Sequence, residues 1–183
     1  RGVERITERG VVVDGKEYEL DCLIYSTGFE VGTDYTRRLG FEITGRDGLT
    51  LTQKWKNGAQ TLHGLFTRDF PNLFVVAMMQ SGSSANFQHM LAEQAKHIAY
   101  VVREAVAREI RTLEPTAEAE AGWTDTIVRM SRMRAPFLNE CTPGYYNNEG
   151  QLDERTARNG AYYKGPVAFI RLLEGWRADG QLA

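Results

Sequence analysis

The sequence predicts an α/β chain: a short strand meander, a strand–helix unit, and a helical carboxy-terminal extension. Three observations predict it. Asp21-Cys22-Leu23-Ile24-Tyr25-Ser26-Thr27-Gly28-Phe29 reads as a buried strand ending in a small-small-Gly turn, which leaves backbone open to whatever lies against it. Phe70-Pro71-Asn72-Leu73-Phe74 reads as a Pro-led turn into a second buried strand over residues 73–78. After Gly82-Ser83-Ser84, apolar residues recur at helical spacing for about six turns.

In chain order, residues 3–8 and 10–14 predict two strands. Asp14-Gly15 predicts a two-residue hairpin, with residues 16–20 as the return strand. The buried strand continues over residues 20–26, which makes Cys22 an inert core residue. Residues 32–48 form a Gly- and charge-rich connection with one short helical piece at 35–39. The alternation Leu49, Leu51, Gln53, Trp55 predicts a half-buried strand, closed by a tight turn at Asn57-Gly58. Residues 64–66 add a short strand before the Phe-Pro turn. The long helix then carries Phe87, Leu91, Ile98, Val101, Val102 and Ala105 inward, with Lys96, Arg103, Glu104 and Arg108 opposite. Thr116 is a good N-cap for a second helix that buries Trp123, Ile127 and Met130 and stops at Pro136. A turn-rich stretch, 142–150, leads to a last helix opened by Gly165-Pro166, with Phe169, Leu172, Leu173 and Trp176 on one side.

Composition narrows the function classes. With 42% apolar and 25% charged residues the chain reads as globular rather than disordered. A net charge of -2 provides no electrostatic footprint for nucleic acid or an anionic membrane. No apolar run approaches the ~20 residues of a membrane span, and no signal-peptide pattern opens the sequence. The two cysteines, Cys22 and Cys141, signal neither a disulfide framework nor a zinc site, so a reducing cytoplasm is expected. The first residue is Arg rather than Met, which reads as a piece of a longer chain.

Four constellations could carry chemistry. Gln80-Ser81-Gly82-Ser83-Ser84-Ala85-Asn86 sits between a buried strand and the long helix, where backbone N–H groups and the positive helix end favour an anionic group. An ordinary polar loop capped by Ser or Asn reads the same way. His89, Glu93 and His97 stand at successive i, i+4 positions, but nothing completes a ligand set, so no metal is expected. Ser83 or Ser84 as a hydrolase nucleophile lacks the Gly-x-Ser-x-Gly elbow. Tyr145-Tyr146-Asn147-Asn148 could line a pocket or form a surface turn.

Taken together, the Asp21–Phe29 and Phe70–Phe74 motifs resemble the carboxy-terminal part of flavin- and NADPH-dependent monooxygenases of the Baeyer–Villiger group. The resemblance covers most of the chain and is strongest over residues 21–102. It implies partial Rossmann-like FAD/NADP-binding lobes: the end of the NADP-binding lobe (1–20), a return linker and the last part of the FAD-binding lobe (21–110), and a helical extension (111–183). It also implies FAD and NADP as cofactors, a small-molecule substrate and O2 as co-reactants, and insertion of one oxygen atom into a ketone. Cofactor contacts would come from Thr27, Gly28, Gln80, Ser81, Ser84, Asn86 and Gln88, with Tyr145, Tyr146 and Asn147 on the substrate and NADP side. The missing amino-terminal lobes would be partners.

The chain departs from the family pattern at Ser26, where Ala is common, and at Met78-Met79, where Gly-Pro is common. It holds no Gly-x-Gly-x-x-Gly, no Phe-x-Gly-x-x-x-His-x-x-x-Trp fingerprint and no nominee for the catalytic arginine, so no catalytic residue is assigned. The isolated chain is therefore expected to be inactive and to self-associate through residues such as Phe29, Phe74, Met78 or Met79. The alternatives are a flavin monooxygenase acting on nitrogen or sulfur, and an interaction module on a flavoprotein-like scaffold.

Overall fold

A computed structural model describes residues 2–26 and 35–180; the side chains of Tyr35, Arg38, Tyr145, Tyr146 and Glu149 are outside that description. The fold is mixed α/β: one small antiparallel sheet followed by helices. The sheet has the order β1 (Arg5–Ile6), β2 (Gly10–Val13), β3 (Lys16–Glu19). Val13 pairs with Lys16 across Asp14-Gly15. Both turn residues adopt positive φ (51° and 74°), the geometry whose twist matches the flanking strands.

The expected buried strand over 20–26 is corrected by the structure. The segment pairs with no strand among the described residues, and Cys22, Ile24 and Tyr25 are exposed, the last two at 81% and 70%. A strand needs neighbours to satisfy its backbone, and the described chain supplies none here.

The rest of the described chain builds two apolar clusters. The smaller gathers Leu51, Trp55, Ala59 and Phe70. Here the predicted strand at 49–55 is instead a helix, α2 (Leu51–Lys54), after α1 (Tyr35–Leu39). Thr50 and Gln53 form a reciprocal cap: the Thr50 hydroxyl accepts from the Gln53 amide (3.1 Å) and the Gln53 carboxamide accepts from the Thr50 amide (3.0 Å). Leu51 and Trp55 are then the buried i, i+4 pair, and period two was the wrong reading.

The larger cluster packs Leu65 and Phe66 against α3 (Phe87–Ala107), α4 (Ala117–Glu140) and α6 (Pro166–Asp179), with Met90, Val101, Trp123, Ile127, Phe169 and Leu173 at its centre. Residues 64–66 and 73–78 are not strands; Phe66 makes isolated bridges to Leu62 and Phe74. The buried face of α3 is Met90, Glu93, Gln94, His97, Val101 and Ala105, while Phe87 and Val102 point outward, against expectation. Thr116 caps α4 as expected, its hydroxyl accepting from the Ala119 amide. Pro136 does not stop that helix, which runs on to Glu140. Both Arg132 and Pro136 are exposed, so the carbonyl that loses its partner can be met by water. After α4, a 3₁₀ turn (Tyr145–Gly150) and α5 (Glu154–Arg158) lead into α6.

A buried ion pair ties the two clusters together. Lys54 Nζ lies 2.8 Å from Glu120 Oε2, and Glu120 Oε1 accepts from the Arg68 amide (2.7 Å) and the Thr67 hydroxyl (3.1 Å). Glu120 sits in the first turn of α4, where the helix dipole favours a carboxylate.

Candidate functional site

The loop from Ala77 to Asn86 is held at its base by two buried carboxamides. Gln80 uses every group it has. Its Oε1 accepts from Thr61 N (3.1 Å) and Thr61 Oγ1 (2.6 Å), and its Nε2 donates to Ala59 O (2.7 Å) and Arg158 O (2.8 Å). Its backbone carbonyl accepts from Trp123 Nε1 (2.9 Å), and its own amide donates to Gly160 O (2.7 Å). The Gln80 side chain is thus a buried clamp with no hydrogen-bonding group left over. Gln94, on α3, grips Ala77 as a peptide would, accepting from its amide (3.1 Å) and donating to its carbonyl (2.9 Å), and it also donates to Ser81 Oγ (3.1 Å). Ser81 is buried between these partners, and its carbonyl accepts from Tyr162 N. Sequence reading missed Gln94, which stood on the stripe taken as purely apolar.

Gly82 is the tight point of the loop. A Cβ there would come within 2.6 Å of both Met90 Cε and Phe169 Cδ1, so only glycine lets the loop cross the core at this level. Beyond it the chain emerges to the surface. Ser84 Oγ accepts from the Asn86 amide (3.1 Å), and Asn86 Oδ1 caps α3 by accepting from the His89 amide (3.1 Å). Among the described residues no acceptor meets the amides of Phe87 and Gln88, and the first three residues of this 21-residue helix, Phe87, Gln88 and His89, are exposed. Two free amides at an exposed helix start fit a partly anionic edge such as that of a reduced flavin.

Of the residues singled out in the sequence, the structure places Gln80, Ser81, Ser84, Asn86 and Gln88 along this one segment. Gln80 and Ser81 form its frame, Ser84 and Asn86 its cap, and Gln88 its exposed first turn. Thr27 and Gly28 lie outside the described residues, as does Phe29. Asn147 belongs to the turn after α4 and is buried. Its Oδ1 accepts from the Gly144 and Gly150 amides, and its Nδ2 donates to the Leu138, Cys141 and Thr142 carbonyls. It shapes the backbone that carries Tyr145 and Tyr146.

The Phe-Pro motif proves to be a docking turn. Phe70 is buried, and Asn72, at φ 61°, accepts from the Leu113 amide and donates to the Arg111 carbonyl (3.0 Å each). It pins the connector between α3 and α4.

His89 and His97 do not converge: His89 is exposed and His97 fully buried. No group of three or more His, Cys, Asp or Glu that could hold a metal is present among the described residues. His97 faces His63 instead, ring centroids 6.1 Å apart, inside walls of Trp123, Trp176 and Phe66. Burial pushes His63 down to about 4. Burial, with the neighbouring His63 and Arg177, pushes His97 down to about 3. Both rings are neutral near pH 7, and His63 Nδ1 and His97 Nε2 are buried without a hydrogen-bond partner.

The buried frame and exposed helix start can be set beside known proteins. Over its whole length the chain is homologous to a segment of Baeyer–Villiger monooxygenases, as Asp21–Phe29 and Phe70–Phe74 had indicated. It is 45% identical to a Baeyer–Villiger monooxygenase of Streptomyces coelicolor, a match covering 97% of the chain and 29% of the relative. It is 43% identical to an FAD-binding monooxygenase of Hypomyces subiculosus, covering 98% and 30%. Among solved structures, the polycyclic ketone monooxygenase of Thermothelomyces thermophila matches with a TM-score of 0.80 at 37% identity, over 100% of this chain and 30% of that one. A cyclohexanone monooxygenase from Rhodococcus bound to NADP+ matches with a TM-score of 0.72 at 28% identity, covering 97% and 32%. The chain thus spans about a third of the length of the relatives it matches. No family model matches it. No helix among the described residues is long and apolar enough to cross a membrane.

Proposed function

We propose that this chain is part of an FAD- and NADPH-dependent Baeyer–Villiger-type monooxygenase that inserts one oxygen atom from O2 into a small-molecule ketone. The observation that carries the reading is the match, over 97% of this chain and 29% of the relative, to a Baeyer–Villiger monooxygenase at 45% identity. The role of the chain is to present the start of α3 to the flavin. The amides of Phe87 and Gln88 and the side chain of Gln88 would meet its electron-rich edge, and the backbone of Thr27-Gly28 would lie alongside. Ser84 and Asn86 set the loop's shape, and Gln80 and Ser81 hold its base. When bound, FAD supplies two-electron chemistry with NADPH and O2; this chain contributes position and electrostatics.

Residues 1–20 would close the NADP-binding lobe, 21–110 the FAD-binding lobe with its Rossmann-like strands completed by other parts of the protein, and 111–183 the helical extension. Residues Tyr145, Tyr146 and Asn147 would face NADP and substrate. The exposed run at 20–26 would be covered by those other lobes, and without them the chain self-associates and is inactive. A cytoplasmic location fits this reading.

The test is oxygenation. The full-length protein containing this chain, given NADPH, a cyclic ketone and isotopically labelled dioxygen, should form a lactone carrying one labelled oxygen. The 183-residue chain alone should form none. A flavin-loaded full-length protein that oxidises NADPH but yields no lactone from a panel of ketones overturns the reading.

A further inference from the structure

The chain leaves Ala77, passes through the loop and enters α3 at Phe87, and the helix then runs back past the loop's own base. Gln94 stands two turns into that helix, about 10 Å along its axis at ~1.5 Å per residue. Its side chain is fully buried and meets Ala77, the residue at which the loop begins. Oε1 accepts from the Ala77 amide (3.1 Å), and Nε2 donates to the Ala77 carbonyl (2.9 Å) and to Ser81 Oγ (3.1 Å). Ser81 Oγ donates in turn to the Ala77 carbonyl, which closes a ring of three residues.

This contact differs from ordinary core packing. A planar carboxamide bonded to both backbone groups of one residue fixes orientation as well as distance. With it in place, α3 can neither slide along its axis nor turn about it relative to Ala77. Gln80 has another task, since its side chain joins the loop's base to Thr61, Ala59 and Arg158 rather than to the helix. The Phe87 and Gln88 amides, at the far end of the loop, therefore take their place relative to its base from Gln94.

We infer that Gln94 is a positioning residue for the flavin: by locking α3 to Ala77 and Ser81, it holds the Phe87 and Gln88 amides where negative charge appears on reduction. The inference rests on the oxygenation reading, in which the start of α3 meets the flavin. Fixed donors act on the charged state more than on the neutral one, and a displacement of about 1 Å is enough to lose most of their effect. Loosening the helix start weakens the hold on reduced flavin more than on oxidised flavin, and the reduction potential falls.

The test uses the full-length protein containing this chain, with FAD affinity and the flavin midpoint potential as readouts. Q94L should bind oxidised FAD within about 3-fold of wild type and reduced FAD about 10-fold more weakly, which places its potential about 30 mV lower. I127A removes buried atoms from the larger cluster without touching the loop, so it loses stability but should keep the wild-type potential. Q94E probes the same contact by pH. A protonated carboxyl offers Ala77 the acceptor and donor of the carboxamide, and a carboxylate has no donor. Burial favours the protonated form, so Q94E should match wild type at about pH 6 and fall below it by about pH 8.5. Should Q94L not fold, Q94E carries the test. A wild-type protein that takes up no FAD overturns the oxygenation reading and this inference with it. FAD bound with the potential untouched by Q94L, an equal shift in I127A, or a Q94E gap that is the same at both pH values overturns this inference alone.

Discussion

In residues 2–26, Val3, Ile6, Tyr18, Leu20, Ile24 and Tyr25 face solvent, and Val11 and Val12 are the buried pair. Neither apolar cluster includes a residue of this stretch. In residues 43–176 the balance reverses: helices close on one another, and even the polar side chains on the buried face, Glu93, Gln94 and His97, are inside. The difference follows from how each type of element satisfies its backbone. A helix bonds to itself and needs only a face to pack against. A three-stranded meander with exposed flanks needs a further strand or a helix cover. The helical region is therefore the part of this chain built to stand by itself, and the meander the part built to be covered.

Removing a charge from the helical region should show this most strongly. Glu120→Ala leaves Lys54, whose side chain is only 11% exposed, with just the longer contact to Asp69 (3.6 Å), and strips the Arg68 amide of its acceptor, while the Thr67 hydroxyl keeps the Gln60 carbonyl. A loss of about 3 kcal/mol in denaturant unfolding is expected, the low end for breaking a buried pair because Asp69 still faces Lys54. A value under about 1 kcal/mol would mean that the pair is solvated, as surface bridges are. Gln80→Leu comes next. It orphans the Thr61 donors and the Ala59 and Arg158 carbonyls at once, and about 3 kcal/mol is expected at ~1 kcal/mol or more per buried group. A cost confined to flavin retention, with stability unchanged, would return Gln80 to the ligand-contact role read from the sequence.

These two residues also mark what was legible. The helices of the larger cluster were visible because Trp123, Ile127 and Met130, and Phe169 and Leu173, keep helical period over several turns. The hairpin was visible because Asp-Gly can adopt two successive positive φ angles. The strand at 49–55 was misread because a short apolar run fits either period, and a cap such as Thr50–Gln53 outweighs alternation over so few residues; that at 73–78 was misread because its pairing among the described residues is the single bridge from Phe74 to Phe66. The family was legible from Asp21–Phe29 and Phe70–Phe74. The frame of the candidate site was half legible: Gln80 and Ser81 were singled out, but Gln94, Asn159 and the facing histidine His63 come from distant parts of the chain, and no local pattern announces them. Asn159 Oδ1, for instance, accepts from the Ala59 amide 2.9 Å away.

The histidine pair makes the helical region sensitive to acid in a way the meander is not. Both folded-state pKa values lie below the ordinary 6.5, so the unfolded chain binds more protons as pH falls. The stability these neutral rings contribute is fully present above pH 6.5 and is lost as pH drops towards about 4. Between pH 6 and 5 the two together should lower the unfolding free energy by about 2 kcal/mol, given ~1.4 kcal/mol per pH unit for each fully linked group. Replacing both with Phe should flatten that slope, as read from urea midpoints at each pH. An unchanged slope would place the acid sensitivity elsewhere.

The smallest expected effect on stability falls on the meander side, and it tests the comparison from the other end. Ile24 and Tyr25 are 81% and 70% exposed, so Ile24→Lys with Tyr25→Ser removes no packing from this chain. Unfolding of the helical region should shift by less than about 0.5 kcal/mol, as for surface changes away from special features. The same double change should reduce self-association in sedimentation or light scattering, because a contiguous apolar run has become polar. If stability fell by several kcal/mol, residues 20–26 would be packed within the chain after all, and the division into a self-sufficient region and a region awaiting cover would fail. If stability held and association persisted, the adhesive surface would lie on the helical side, where Val106, Met133 and Phe137 are also exposed, and those three would be the next to change.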